Sequence, residues 1–283
     1  MKRVLRECLA KVLRRFRFPG RKRVIDLAEK ILGPNSGEFV VPVRHSGHLI
    51  IDGIVDRPVF YTGTHDTHVM NFLLRVVQEG NTVVDIGAGI GVYTIPLALK
   101  VGPSGHVYAF EALRPNFDLL LRNIELNGLR NISATHAAII DVSGILEVPI
   151  FDERPGGLGS LGNYSLASLS PRRNTISCWS LDDFAARSGI TRIDLLKIDI
   201  EGSEVRAVSG MKRLFSDGRV RITCCEFNRY WLQKLGADPQ ELHNLFSSCG
   251  LQVYRLTRFG RLKKISAAYL ASAPDSWDAV AKK

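Results

Sequence analysis

Little in this chain would staple or anchor it. Its 283 residues include five cysteines, Cys8, Cys178, Cys224, Cys225 and Cys249. The number is odd and no C-x-x-C spacing occurs, which argues against a disulfide framework and against a zinc site. A reducing, cytoplasmic compartment is the expectation that follows. No apolar run approaches the ~18 residues of a membrane span, and residues 1–30 lack the uninterrupted apolar segment of a secretory leader. The sequence holds no G-x-x-x-x-G-K-[ST] loop, which removes P-loop ATP and GTP chemistry.

Acidic residues are the scarcer charge, 28 Asp+Glu against 38 Lys+Arg for a net charge of +10. The imbalance is local. Residues 1–30 hold 11 basic and 3 acidic residues, which leaves 27 against 25 for the rest. There Val4, Leu5, Cys8, Leu9, Val12, Leu13 and Phe16 recur at helical spacing between Arg3, Arg6, Lys11, Arg14 and Arg15, the pattern of a basic amphipathic helix. The plainer expectation is that its apolar stripe packs on its own domain; the alternative is peripheral contact of residues 1–30 with an anionic membrane or a partner. The near-neutral body, without interleaved aromatic and basic residues, does not favour a nucleic-acid partner.

What the chain does have is concentrated in residues 82–91, TVVDIGAGIG. Thr82, Val83, Val84 and Ile86 form the apolar run of a strand buried on both faces. Asp85 stands near its carboxyl end, where ligands bind in open α/β sheets. Gly87, Gly89 and Gly91 let the backbone turn and a ligand approach before a helix at 92–100. The dinucleotide fingerprint would place glycine at 92, but Val92 is there, so hydride-transfer cofactors are disfavoured. Twenty residues on, the strand-like run HVYAF ends at Glu111, where a carboxylate can accept both hydroxyls of a ribose. Asp85 would repel a pyrophosphate and attract a cation, which favours S-adenosylmethionine over NAD or ATP.

A second constellation lies in LLKIDIEG, residues 195–202. Lys197, Asp199 and Glu201 stand at period 2 and share one face of a strand, and a lysine in such a strand needs a carboxylate partner. That strand is expected beside the Asp85 strand, opening on the same crevice. Glu226 ends the next strand in the same way, with Asn228 two positions on. Asp199, Glu226 and Asn228 are hard oxygen ligands, so a divalent metal is a minor alternative.

VVDIGAGIGVYT at 83–94, FEALRPNFDLLLRNIELNG at 110–128, AAIIDVSG at 137–144 and LLKIDIEGSEVRAVSG at 195–210, in this order and spacing, resemble the FkbM-type S-adenosylmethionine-dependent methyltransferases over residues 55–230. The resemblance implies an α/β fold with a seven-stranded class I methyltransferase sheet, Rossmann-like and mostly parallel, its last hairpin antiparallel. It implies that Asp85, Gly87, Ala88, Gly89, Gly91, Tyr93 and Thr94 cradle the methionine side of the cofactor, with Thr64, His65 and Asp66 closing over it. Glu111 would hold the ribose, and Ala138 and Asp141 would frame adenine. Asp199 and Glu201 would orient the acceptor hydroxyl and remove its proton, tuned by Lys197.

The expected organisation is an N-terminal basic helix and cap over residues 1–80, with a hairpin at 40–51, and a methyltransferase domain over 81–283. Strands are expected at 132–140, 193–200 and 220–227, an extra hairpin strand at 145–151, a helix at 204–215, and a closing antiparallel pair at 251–257 and 265–271. The glycine- and serine-rich run 154–174 reads as a lid on the substrate side. The activity expected is O-methylation of a hydroxyl on a small molecule or sugar. The alternatives are an RNA methyltransferase using the basic N-terminus and a non-catalytic cofactor-binding or membrane-surface protein; oligomeric state is not readable.

Overall fold

The computed structural model describes residues 2–16, 20–32, 37–43, 46–52, 57–150 and 172–283; most of the expected lid, 154–171, lies outside them. The N-terminal part consists of α1 Lys2–Arg15, α2 Arg21–Leu32, the antiparallel pair β1 Glu38–Pro42 and β2 His48–Asp52, α3 Arg57–Thr62 and α4 Thr67–Val76. Alternation of strand and helix begins at β3 Thr82–Ile86, followed by α5 Thr94–Val101, β4 His106–Glu111, α6 Arg114–Leu126 and β5 Ile132–His136. A small side sheet follows, from β6 Ala138–Ile139, β7 Gly144–Ile150 and β8 Arg172–Trp179. The chain returns through α7 Leu181–Arg187, β9 Leu195–Ile198, α8 Glu204–Ser209, α9 Lys212–Ser216, β10 Thr223–Asn228, α10 Arg229–Lys234 and α11 Pro239–Ser248. It closes with β11 Gln252–Leu256, β12 Leu262–Lys264, α12 Ala267–Ser272 and β13 Ser276–Lys282.

The main sheet has the order β12-β11-β13-β10-β9-β3-β4-β5. Strands β5, β4, β3, β9 and β10 run parallel, and β13 inserts antiparallel between β10 and β11. This is the expected mostly parallel α/β sheet, widened by the three-residue strand β12. Because β3 pairs with β4 on one side and β9 on the other, chain order reverses there, and the carboxyl ends of these strands open a crevice. Side chains alternate across the sheet: Val83 packs with Leu73, Ile95 and Leu195 on one face, Val84 and Ile86 with Phe110, Phe215 and Phe227 on the other. The first of these cores also contains Leu13, Phe39, Leu49, Phe60 and Met70, so the N-terminal elements and the sheet share one core.

Three expected elements differ. Where a strand is expected at 265–271 the chain forms α12, Ala267–Ser272: Ser266 caps the helix by accepting from the Tyr269 amide at 3.1 Å, and ordinary helix formers follow. The strand that completes the sheet is SWDAVAK at β13. The helix expected at 204–215 breaks at Gly210, where a Cβ would stand 2.0 Å from the Ile140 carbonyl oxygen. The strand expected at 132–140 divides at Ala137, whose amide bonds to the Glu111 carbonyl at 3.1 Å, sending β6 into the side sheet.

The hairpin is fastened by two asparagines four residues apart, Asn123 in the last turn of α6 and Asn127 at its C-cap. Fully buried Asn123 accepts from the Ile50 amide at 2.6 Å and donates to the carbonyls of Ile50 and Ile90 at 3.1 and 2.8 Å. Asn127 accepts from the His48 amide at 2.8 Å and donates to the His48 carbonyl at 2.7 Å. Their amides act as a mimic of a neighbouring strand along the edge of β2. Asn123→Ala, which strands buried backbone groups, is expected to cost about 2–4 kcal/mol in urea unfolding, and Asn127→Ala, at an exposed pair, under about 1 kcal/mol.

Candidate active site

A cavity of ≈ 310 Å³ lies at the carboxyl ends of β3, β4, β9 and β10. Its floor begins with an ion pair below the cavity wall. Asp85 and Lys197 are register partners on β3 and β9, and both are buried. The Lys197 ammonium lies 3.5 Å from Asp85 Oδ1 and 3.2 Å from Asp199 Oδ2, and 4.5 Å from the centre of the Tyr93 ring. Burial opposes its charge, but Asp199 and Asp85 outweigh burial and raise its pKa. Thr94 donates to the other oxygen of Asp85 at 2.7 Å. Asp85 and Thr94 therefore stand behind the wall, and the cation that Asp85 meets is Lys197; neither residue lines the cavity.

The glycine loop has two kinds of glycine. Gly87 has φ +80, and a Cβ there would fall 1.9 Å from the Asp199 carbonyl oxygen; it is glycine because the chain leaving β9 passes against it. Gly89 has φ +55 with no protein atom within 4 Å of where a Cβ would stand, and it lines the cavity. Gly91 packs on Leu120 and Ile95, away from the cavity. The amides of Gly87 and Ala88 both donate to the Phe110 carbonyl, at 3.0 and 2.9 Å, which fixes the loop to β4.

Glu111 ends β4 inside the cavity. Its carboxylate accepts from the amides of Gly89 and Leu113, each at 2.8 Å, and also bonds the Asn116 side chain. Burial raises its pKa, against the pull of these donors. Ala138 lies nearby together with Leu113, Asn116 and Ile139, three residues that the sequence reading missed. Asn116 sits in the first turn of α6 in R-P-N-F, a polar side chain at a helix start beside a strand-ending acid, and that was the available signal. Asp141 departs from expectation: it is exposed and held by Arg206 at 2.6 Å, outside the cavity.

The opposite end is acidic. Asp199, Glu201 and Glu226 each bring a carboxylate oxygen within 4.8 Å of the others. The hard-ligand set is thus these three; Asn228 instead caps α10, accepting from the Trp231 amide at 3.3 Å. Burial and then Glu226 and Asp199 push the Glu201 carboxyl up to about 8. Burial and Asp199 raise Glu226 to about 7, although Ser276 donates to it at 2.7 Å. Glu201 has φ +50 and is the one non-glycine residue with positive φ among the described residues. The turn that displays it is tied by buried Glu204, which accepts from the amides of Ile200 and Gly202 at 3.2 Å each. Burial lifts Glu204 to about 7. His65 and Asp66 line the cavity from the N-terminal side, whereas Thr64 is fully buried behind them.

Residues 85–253 match the methyltransferase FkbM domain. The chain belongs to that family. It is 25% identical over 148 residues to Methyltransferase 1 of Beauveria bassiana (strain ARSEF 2860), a match covering 47% of this chain and 59% of that protein. It is 26% identical over 155 residues to methyltransferase sdnD of Sordaria araneosa, covering 46% and 60%. The chain thus spans about three fifths of the length of these relatives. Solved structures include a SAM-dependent O-methyltransferase from Thermotoga maritima at a TM-score of 0.44 and 14% identity, covering 90% of this chain and 81% of that one.

Two outcomes test this geometry. Gly87→Ala is expected to cost at least about 3 kcal/mol in urea unfolding or to prevent folding, and Gly89→Ala only about 1–2 kcal/mol. The second concerns pH. Glu204 keeps its proton when folded up to about 7 against 4.5 in a free chain, so its contribution to stability is fully present below pH 4.5 and lost as pH rises through 7. Glu204→Gln preserves the acceptor for both amides, and its melting temperature is expected to fall less than that of wild type between pH 5.5 and 8.5, as checked by calorimetric melting at ~0.5-unit steps.

Proposed function

We propose that the protein transfers a methyl group from S-adenosylmethionine to a hydroxyl of a small molecule or sugar. The observation that carries this reading is one cavity with two unlike ends, a fixed carboxylate at Glu111 and a carboxylate cluster at Asp199, Glu201 and Glu226. A vicinal diol suits the first end, since Glu111 is locked by two amides and keeps further lone pairs for hydroxyl donors. The bare backbone at Gly89 leaves room for a ligand between the ends. Leu113, Ala138 and Ile139 give an apolar wall for a base. The acidic end suits a cation.

The cofactor supplies an electrophilic methyl on a positively charged sulfur, which becomes a neutral thioether when an acceptor oxygen takes the methyl. The chain has the remaining work. Asp199, paired with Lys197 at 3.2 Å, accepts a hydrogen bond from the acceptor hydroxyl and aims its oxygen. Glu201, with its pKa near 8, takes the hydroxyl proton as the new C–O bond forms, since a base works best with a pKa close to the working pH. His65 and Asp66 line the cavity on the N-terminal side and limit the entry of water.

A neutral, hydroxyl-rich acceptor is favoured over RNA by charge. Among the described residues lining the cavity, the basic side chains are Lys197 and His65, and Lys197 is engaged by two carboxylates. The five acidic residues of the lining, Asp66, Glu111, Asp199, Glu201 and Glu226, would repel phosphates.

Titration calorimetry tests the cofactor half: Glu111→Ala is expected to weaken S-adenosylmethionine binding by at least about thirtyfold, and no binding by wild type would sink the reading. Labelled-methyl transfer across a panel of sugars and hydroxylated small molecules tests the chemistry. Glu201→Gln and Asp199→Asn are expected to keep cofactor affinity within severalfold and lose roughly 10²-fold or more in turnover. The wild-type kcat/KM for S-adenosylmethionine, which reports the free enzyme, is expected to rise with pH up to about 8, because Glu201 must be ionised to act; a value that falls over that range would remove it as the base.

A further inference from the structure

Helix α1 turns most of its apolar stripe outward. The residues of α1 that the fold buries are Arg6, Ala10 and Leu13, and polar bonds hold it. Arg6 lies 3.9 Å from Glu29 of α2, which also accepts from the Tyr61 hydroxyl at 2.6 Å. Arg14 donates to the Phe60 carbonyl at 2.9 Å. The apolar stripe points away: Val4, Leu5, Val12 and Phe16 are each more than half exposed, as are Leu27 and Ile31 of α2. The expectation that this stripe packs on its own domain holds for Leu13 and, in part, Leu9, and fails for Val4, Leu5, Val12 and Phe16.

Cations border the exposed stripe. Lys11 and Arg15 are exposed on α1, and Lys22, Arg23 and Lys30 on α2. Lys11, Arg14 and Arg15 also line a groove between α1 and β1 whose other walls include Phe39 and Phe60, with exposed Val40 at its edge. Residues 1–30 carry 11 of the 38 basic residues and 3 of the 28 acidic ones. Among the described residues, no helix is long and apolar enough to cross a membrane.

We propose that α1 and α2 form a peripheral docking surface for an anionic lipid bilayer. The stripe of Val4, Leu5, Val12 and Phe16 enters the boundary between headgroups and acyl chains, and exposed Lys11 and Arg15 meet lipid phosphates. Charge complementarity selects this occupant. A bilayer with anionic headgroups accepts apolar side chains and cations together, a combination that strengthens binding at an interface. A second copy of this chain would bring the same positive surface against itself, and a nucleic-acid backbone would offer nothing to the exposed apolar side chains. This surface is separate from the cavity residues, so its test does not depend on the proposed chemistry.

The test is vesicle flotation of the full chain with phosphatidylcholine alone and with phosphatidylcholine mixed with phosphatidylglycerol. Flotation is expected with the mixed vesicles, at least about tenfold above phosphatidylcholine alone. The double variant Val12→Asp/Phe16→Asp is expected to lose at least about tenfold of that binding. Lys11→Gln/Arg15→Gln should lose a similar amount and be less sensitive to salt. Unchanged melting temperature and S-adenosylmethionine affinity show that these exposed substitutions leave the fold intact. The proposal is overturned if wild type floats with neither vesicle, or if Val12→Asp/Phe16→Asp floats as well as wild type. It is also overturned if light scattering shows a dimer that this variant dissociates, or if RNA competes the protein off the mixed vesicles.

Discussion

Lys197 is buried between Asp85 and Asp199, and the rest of the site is arranged around that ammonium. An unpaired lysine in the centre of a parallel sheet would cost several kcal/mol, and so would two carboxylates left facing each other without it. Sheet register sets the pairing, because β3 and β9 place Asp85 and Lys197 side by side. The same register brings the backbone of Asp199 against Gly87. Once Lys197 is seated, the end of β9 and the glycine loop are fixed relative to each other, and Asp199 is displayed at the edge of the cavity.

From that anchor the cavity divides into a rigid part and a charged part. On the β4 side, Glu111 is bound by the Gly89 and Leu113 amides, so the loop and the carboxylate hold one another and little ordering is left for ligand binding to supply. On the β9 and β10 side, Glu201 and Glu226 share a partly enclosed space with Asp199 and are pushed up to about 8 and about 7. Like charges so placed titrate as a group. A cation brought among them lowers their proton affinity, and a hydroxyl brought there meets a base poised near neutral pH. Glu204, beneath the turn, takes the two backbone amides that the positive φ of Glu201 leaves to be satisfied.

The fold was legible where local pattern and burial agree. TVVDIGAGIG and HVYAF give β3 and β4 because their apolar residues are buried in the sheet, and LLKIDIEG gives β9, which ends at Ile198, so that Asp199 and Glu201 stand in the turn beyond it. Legibility ended where tertiary contacts decide. ISAAYLA has residues that suit either a strand or a helix, and the cap at Ser266 makes it helical. Gly210, where α8 ends, has no room for a side chain because of a carbonyl 70 residues earlier in the chain, at Ile140. In the site, the acids were visible, but not which way each one points: Asp85 turns below the wall toward Lys197, and Asp141 turns out to Arg206. The apolar stripe of α1 was visible too. Its direction was set by Arg6, Glu29 and Tyr61, a network that joins three helices and has no signature in the periodicity of any one of them.

The central claim is that the charged sulfur of the cofactor lies beside Glu201 and Glu226, and proton release on binding measures it most directly. Calorimetric titrations at pH 7 in buffers of different ionisation enthalpy, run with S-adenosylmethionine and with S-adenosylhomocysteine, give the protons released by each. Near their raised pKa values the two glutamates hold protons at that pH, so the cationic ligand is expected to release a substantial fraction of a proton and the neutral thioether much less. Equal release by both ligands, or none by either, would contradict the placement.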